Sequence, residues 1–206
     1  VEAAAGKAGF SGALAVTISV PGGEELARRT FNPRLGILGG ISILGTSGIV
    51  EPMSREALTA SIRAELRVLA AAGERGVVLT PGNYGRDFLR EMEKVPDRLA
   101  VKYGNFLGEA LDAALELGFD RILVAGHMGK LVKLAGGIMN THSRQGDCRM
   151  ELMTAHAALM GVGTETARRL MAAPTTPAAL DILEEAGLLE PVLRSLGERM
   201  AEVLRR

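Results

Sequence analysis

Four times along this chain of 206 residues, a short apolar run ends in a glycine-bearing loop and gives way to helical spacing. The runs are Leu35 to Leu38, Gly76 to Thr80, Leu99 to Lys102 and Arg121 to Ala125. Strand, loop and helix repeated in this order make the βαβ rhythm of a parallel sheet with covering helices. Right-handed crossovers set every strand-to-helix loop on one rim. Open α/β sheets bind ligands on that rim. The expected architecture is α/β, a Rossmann-like parallel sheet of about four strands over residues 31–145.

The segments between the runs support this reading. Ser54 is placed to cap a helix whose apolar face is Leu58, Ile62, Leu66 and Leu69, and Gly73 ends it. A second helix is expected from Tyr84 to Met92. A third is expected after Asn105 as its cap, with Leu107, Leu111 and Ala114 in the core and Glu109, Asp112 and Glu116 outside. The fourth run passes through Gly126 and Gly129 into a helix reaching Leu134. Residues 146–206 read as a helical C-terminal segment, with Thr176 as a cap before Pro177 and Gly187 between the last two helices. Leu14 to Val20 alternates like a half-buried strand closed by Pro21-Gly22-Gly23. We expect residues 1–30 to be the remnant of an N-terminal domain. The chain opens at Val1 without an initiator Met, so a fragment or trimmed product is expected.

Composition narrows the function classes. Apolar residues make up 47%, enough to bury a core. Lys+Arg and Asp+Glu both number 24, which opposes a broad basic face for nucleic acid. Trp is absent and aromatics are 3%, which opposes a base-stacking platform. The single Cys148 fits a reducing compartment. No run approaches the roughly 18 apolar residues of a membrane span. The expectation is a cytoplasmic protein with no nucleic-acid or membrane partner; homo-oligomerisation is left open. Gly numbers 26, well above the usual share of about 7%, and the excess gathers in the loops after the strands. Such loops expose backbone N–H groups to a ligand, or simply let strands turn into helices.

Four blocks carry a resemblance: Asn32 to Ser54 (NPRLGILGGISILGTSGIVEPMS), Thr80 to Gly85, Asn105-Phe106 with Gly108 to Leu111, and Gly126 to Lys133 running on to Asn140-Thr141-His142-Ser143. Over about Val16 to Glu151 the chain resembles the cobalt-precorrin-5B C(1)-methyltransferase family of anaerobic cobalamin biosynthesis. Family members have a further N-terminal region with a Gly-Tyr-Thr-Thr-Gly motif that this chain does not show. The resemblance implies methyl transfer from S-adenosyl-L-methionine to C-1 of a cobalt-containing tetrapyrrole, with cobalt arriving in the substrate and no protein-bound metal. The candidate cofactor residues in its blocks are Gly39, Gly40, Gly45, Thr46, Gly48, Asn83, Tyr84 and Asn105. Common Rossmann-like methyltransferases hold the ribose with an acid after the second strand. Because no carboxylate lies between that strand and Asp87 here, Asn83 is the candidate for the ribose and Tyr84 for the adenine. Arg34, Lys130, Lys133 and Arg144 would meet the substrate's carboxylates, Lys130 and Lys133 lying on one helix face. His127 and His142 are the candidate proton acceptors. Glu51 is an alternative hydroxyl acceptor. The rival expectation is a non-catalytic nucleotide- or anion-binding α/β module.

Overall fold

A computed structural model describes residues 1–30, 32–42, 54–91 and 96–205. The chain divides into two compact units, residues 1–49 and 50–206.

The described residues of the first unit hold two short helices, α1 (Glu2–Lys7) and α2 (Gly23–Arg28), and a 3-10 turn at Asn32–Leu35. The strand expected at Leu14 to Val20 does not form. A strand needs a neighbour for its ladder, and among the described residues none pairs with this run, whose Leu14, Val16, Ile18 and Val20 are exposed. The strand expected at Leu35 to Leu38 does not form either. Pro33 fixes its own φ, and Gly36 takes a φ of +75°, so the chain turns where extension was expected. The N–H of Gly36 donates to Pro33 O at 3.2 Å and that of Ile37 to Asn32 O at 3.0 Å, while Leu38 is 80% exposed. A four-residue apolar run between Pro and Gly carries too little periodicity to separate turn from strand.

The second unit is the α/β body. It runs α3 (Arg55–Ala71), β1 (Gly76–Thr80), α4 (Asn83–Glu91), β2 (Ala100–Lys102), α5 (Leu107–Glu116), β3 (Arg121–Val124) and α6 (Met128–Ala135). Among the described residues the sheet has three strands where about four were expected, in the order β2-β1-β3 and parallel throughout. Leu79 of the central strand lies opposite Val101 on one side and Val124 on the other. Alternation along β1 sends Val77 and Leu79 into a core with Ile62 and Leu66 of α3, Leu107 and Ala110 of α5, and Val101 of β2. Val78 faces the other way, with Ala100 and Leu89 of α4. Ser54 caps α3 as expected, its Oγ accepting from the Ala57 N–H at 3.2 Å. At the far end of α3, Gly73 at φ +82° lets the Glu74 N–H reach back to Leu69 O.

The expected helical tail is present as α7 (Arg149–Leu159), α8 (Thr164–Met171), α9 (Thr176–Glu185) and α10 (Leu189–Leu204). Its second core joins Met153, Ala157, Leu170, Leu183, Val192 and Leu196 to Val132 and Ala135 of α6. Leu134 on the same helix belongs to the sheet's core. α6 therefore ties the tail to the sheet and brings the start of α9 to the rim. Two caps differ from expectation. α9 is capped by Thr175, whose Oγ1 accepts from the Ala178 N–H at 3.3 Å; Thr176 lies inside the helix. α5 begins after Phe106 without a side-chain cap, because the Asn105 carboxamide is turned to other partners. No helix among the described residues is long and apolar enough to cross a membrane.

Candidate functional site

With β1 between β2 and β3, the connection leaving β1 goes to one side and the next crosses back to the other. The loops after β1 and β3 diverge at this reversal, which is where open α/β sheets leave a crevice. Two glycines let the loops approach. A Cβ on Gly126 would lie 2.6 Å from Cδ of Pro81, and one on Gly85 would lie 2.7 Å from the carbonyl oxygen of Ala125. These glycines are needed for packing. Thr80, fully buried, closes the turn by accepting from the Gly82 N–H at 3.2 Å and donating to its carbonyl at 2.5 Å.

A cavity of about 290 Å³ opens at the crevice, lined chiefly by Tyr84, Phe88, His127, Met128, Pro177 and Leu180. The Tyr84 ring meets the His127 ring edge-on, with centroids 5.4 Å apart and planes at 72°. His127 caps α6, its Nδ1 accepting from the Gly129 N–H at 3.0 Å. In the neutral ring this bond puts the proton on Nε2, so the imidazole presents a donor. Tyr84 and His127 were expected at the site. Phe88, Pro177 and Leu180 were missed. The spacing of Tyr84 and Phe88, four residues apart on one helix face, was the available signal for the first of them.

A polar network lies between the β2–α5 loop, α6 and the segment that follows it. Nζ of Lys130 donates to Gly104 O at 3.1 Å and to Asn105 Oδ1 at 3.0 Å. Burial, and then the charge of Lys133, lower the pKa of Lys130. Lys133 is only 3% exposed, and its Nζ donates to Thr141 O at 3.3 Å and to Gly146 O at 2.9 Å. It faces inward and closes the 141–146 loop onto α6. Asn105 completes the network by accepting the Thr141 N–H at its carbonyl oxygen, 2.9 Å away. The next residue, His142, is exposed; its Nδ1 accepts the Arg144 N–H at 3.1 Å, which leaves Nε2 as a donor as in His127. Arg144 is exposed on the same loop. Asn83 opens α4, and its Oδ1 accepts from Nζ of Lys102.

Of the glycine loop, Gly39 and Gly40 are described. Gly39 has a φ of +76°, and a Cβ at either position would meet nothing within 4 Å. Nδ2 of Asn32 donates to Gly40 O at 3.3 Å, and Oδ1 accepts from Ser42 Oγ at 3.0 Å, so one buried carboxamide holds this half of the loop. Arg34 lies in the 3-10 turn, and its side chain is outside the described part of the structure. Gly45, Thr46, Gly48 and Glu51 also lie outside the described residues.

Known proteins show the same pattern of similarity. Residues 1–52 match the family CbiD, and residues 140–206 match the CbiD C-terminal domain. A Thermoanaerobacter protein named cobalt-precorrin-5B C(1)-methyltransferase is 56% identical over 173 residues, 84% of this chain and 47% of the relative. Proteins of the same name from Ruminiclostridium cellulolyticum and Methanocaldococcus jannaschii are 48% and 43% identical over 93% and 92% of this chain, and 50% and 52% of their own lengths. The chain thus spans about half the length of the curated relatives it matches. No solved structure matches it. Family matches over residues 1–52 and 140–206, together more than half of the chain, and 48% identity across 93% of it show that the chain belongs to the CbiD family.

Proposed function

We propose that this protein is an S-adenosylmethionine-dependent methyltransferase that methylates C-1 of cobalt-precorrin-5B to give cobalt-precorrin-6A, acting in the cytoplasm in anaerobic cobalamin biosynthesis. The observation that carries the reading is the 56% identity to a relative bearing that activity in its name. The rim supports it: an apolar cavity beside a fixed imidazole donor fits the uncharged part of such a methyl donor.

When bound, S-adenosylmethionine supplies a methyl group on a sulfonium: the C-1 electron pair forms the new bond, the sulfur keeps the old pair as a thioether, and the ring sheds a proton. The protein's own work is alignment and exclusion of water, an effect worth up to about 7–11 kcal/mol. Gly39, Gly40, Gly45, Thr46, Gly48, Asn83, Tyr84 and Asn105 are assigned to the donor. Lys130, Arg144 and Arg34 are assigned to the acidic arms of the tetrapyrrole. Lys133 is assigned to holding the loop that presents His142 and Arg144, because its Nζ is turned inward to two carbonyls. His127 and His142 orient ligands as Nε2 donors; acting as a base would require each ring to give up its backbone bond at Nδ1.

Incubation with the tetrapyrrole and S-adenosylmethionine, followed by mass spectrometry, tests the reading. It predicts one methyl gained per S-adenosylhomocysteine released. Thioether release without a gain in tetrapyrrole mass would refute it.

A further inference from the structure

We propose that the cavity at the β1/β3 reversal is a slot for the flat, uncharged heteroaromatic ring of a nucleoside, formed by Tyr84 and Phe88 of α4, Pro177 and Leu180 of α9, and the His127 imidazole. The inference rests on the methyl-transfer reading for its ligand, the adenosine portion of the donor.

The aromatic residues speak first. The chain has two Tyr, five Phe and no Trp. Tyr103 is buried in the core, yet Tyr84 and Phe88, one helical turn apart, are 67% and 51% exposed beside the same cavity. Leaving two aromatic faces in water forfeits burial that would otherwise stabilise the fold. Their pairing at a concave site gives them a ligand to cover. Size speaks next. At about 290 Å³ the cavity is just below the range of ligand sites, which span about 300–1,000 Å³. It can take a nucleoside base with part of its sugar, and it cannot enclose a tetrapyrrole.

Charge decides the class. Among the described residues that line it there is no Lys, Arg, Asp or Glu, so these residues offer no formal charge to pair with a phosphate or a carboxylate. Its convergent polar group is the His127 ring, held by the Gly129 N–H so that Nε2–H is available to a ring nitrogen acceptor. The Met128 thioether adds a polarisable contact. An apolar slot with one donor and two aromatic faces selects a neutral heterocycle over the phosphate of a nucleotide.

Calorimetric titration of the protein with S-adenosylhomocysteine, adenosine and homocysteine tests this. Adenosine should bind and compete with S-adenosylhomocysteine, and homocysteine alone should not bind. Tyr84→Ala and Phe88→Ala should each weaken both adenosine ligands about tenfold, and Tyr84→Phe should stay near the parent because it keeps the ring. Both side chains are exposed, so truncation spares the core; thermal unfolding checks this. The His127 ring resonances should move on adding adenosine. If the double variant Tyr84→Ala/Phe88→Ala binds S-adenosylhomocysteine with unchanged affinity, the slot is wrong while methyl transfer stands. If the parent protein binds neither adenosine nor S-adenosylhomocysteine, the slot is refuted, and the mass assay above judges the methyl-transfer reading separately.

Discussion

Lys133 shows how the fold assigns work to a residue that sequence alone placed at the substrate. From spacing, Lys130 and Lys133 share a helix face; burial first, and then the charge of Lys133, lower the pKa of Lys130. Burial separates their roles, since one turn of helix carries Lys133 from the rim into the body. Replacing it with Met would leave the Thr141 and Gly146 carbonyls without their donor, a loss of about 1–3 kcal/mol. Urea unfolding of Lys133→Met should show a lower midpoint, and an unchanged midpoint would contradict the brace. His156 gives a pH-dependent test. Its Nδ1 lies 2.8 Å from Ser195 Oγ, and burial, then Arg199, hold its pKa below the ordinary imidazole value. The folded chain therefore favours the neutral ring. As pH falls through about 6.5, the unfolded chain takes up the proton first, so stability falls with it. His156→Gln removes that titration, and denaturation between about pH 7 and pH 5 should depend less steeply on pH than in the parent. An equal slope would show that His156 does not contribute.

Among the elements, the glycines divide into two kinds that composition cannot separate. Gly85 and Gly126 are fixed by neighbours that a methyl group would strike, whereas Gly39 and Gly40 face open space. Gly126→Ala should cost about 1–3 kcal/mol through overpacking against the Pro81 ring. Gly40→Ala should leave the unfolding midpoint near the parent value. Similar midpoints for the two variants would show that the loops after β1 and β3 do not meet as described. The three sheet strands were legible because each is a mainly β-branched or aliphatic run followed by turn-forming residues and an amphipathic helix of eight to ten residues. Leu35 to Leu38 misled because Pro33 and Gly36 impose a turn that Leu35, Ile37 and Leu38 do not outweigh. Leu14 to Val20 misled for a different reason. Alternation records which residues could share a face, whereas a strand exists only beside another strand. The cavity was half legible: Tyr84 in the first turn of α4 and His127 at the cap of α6 both lie just past strand ends that the βαβ rhythm points to. Pro177 and Leu180 arrive from about fifty residues further along, carried by the packing of the helical tail on α6, and no local pattern encodes that long-range approach.

At the scale of the whole molecule, a small parallel sheet and a helical tail share α6, and together they surround a rim with two chemical characters. The side at the β1/β3 reversal is apolar and aromatic, suited to an uncharged ring. The side at the β2–α5 loop is polar, with Lys130 on the rim and Arg144 and His142 on a loop held from behind by Lys133. This division suits the proposed reaction between a compact nucleoside donor and a polyacidic acceptor. The most direct test is to supply cobalt-precorrin-5B with S-adenosylmethionine carrying an isotopic label in its methyl group, then locate the label by NMR. A single labelled methyl on C-1 of the tetrapyrrole is expected. Label on another ring carbon, or label remaining on the sulfonium while both ligands are bound, would contradict it.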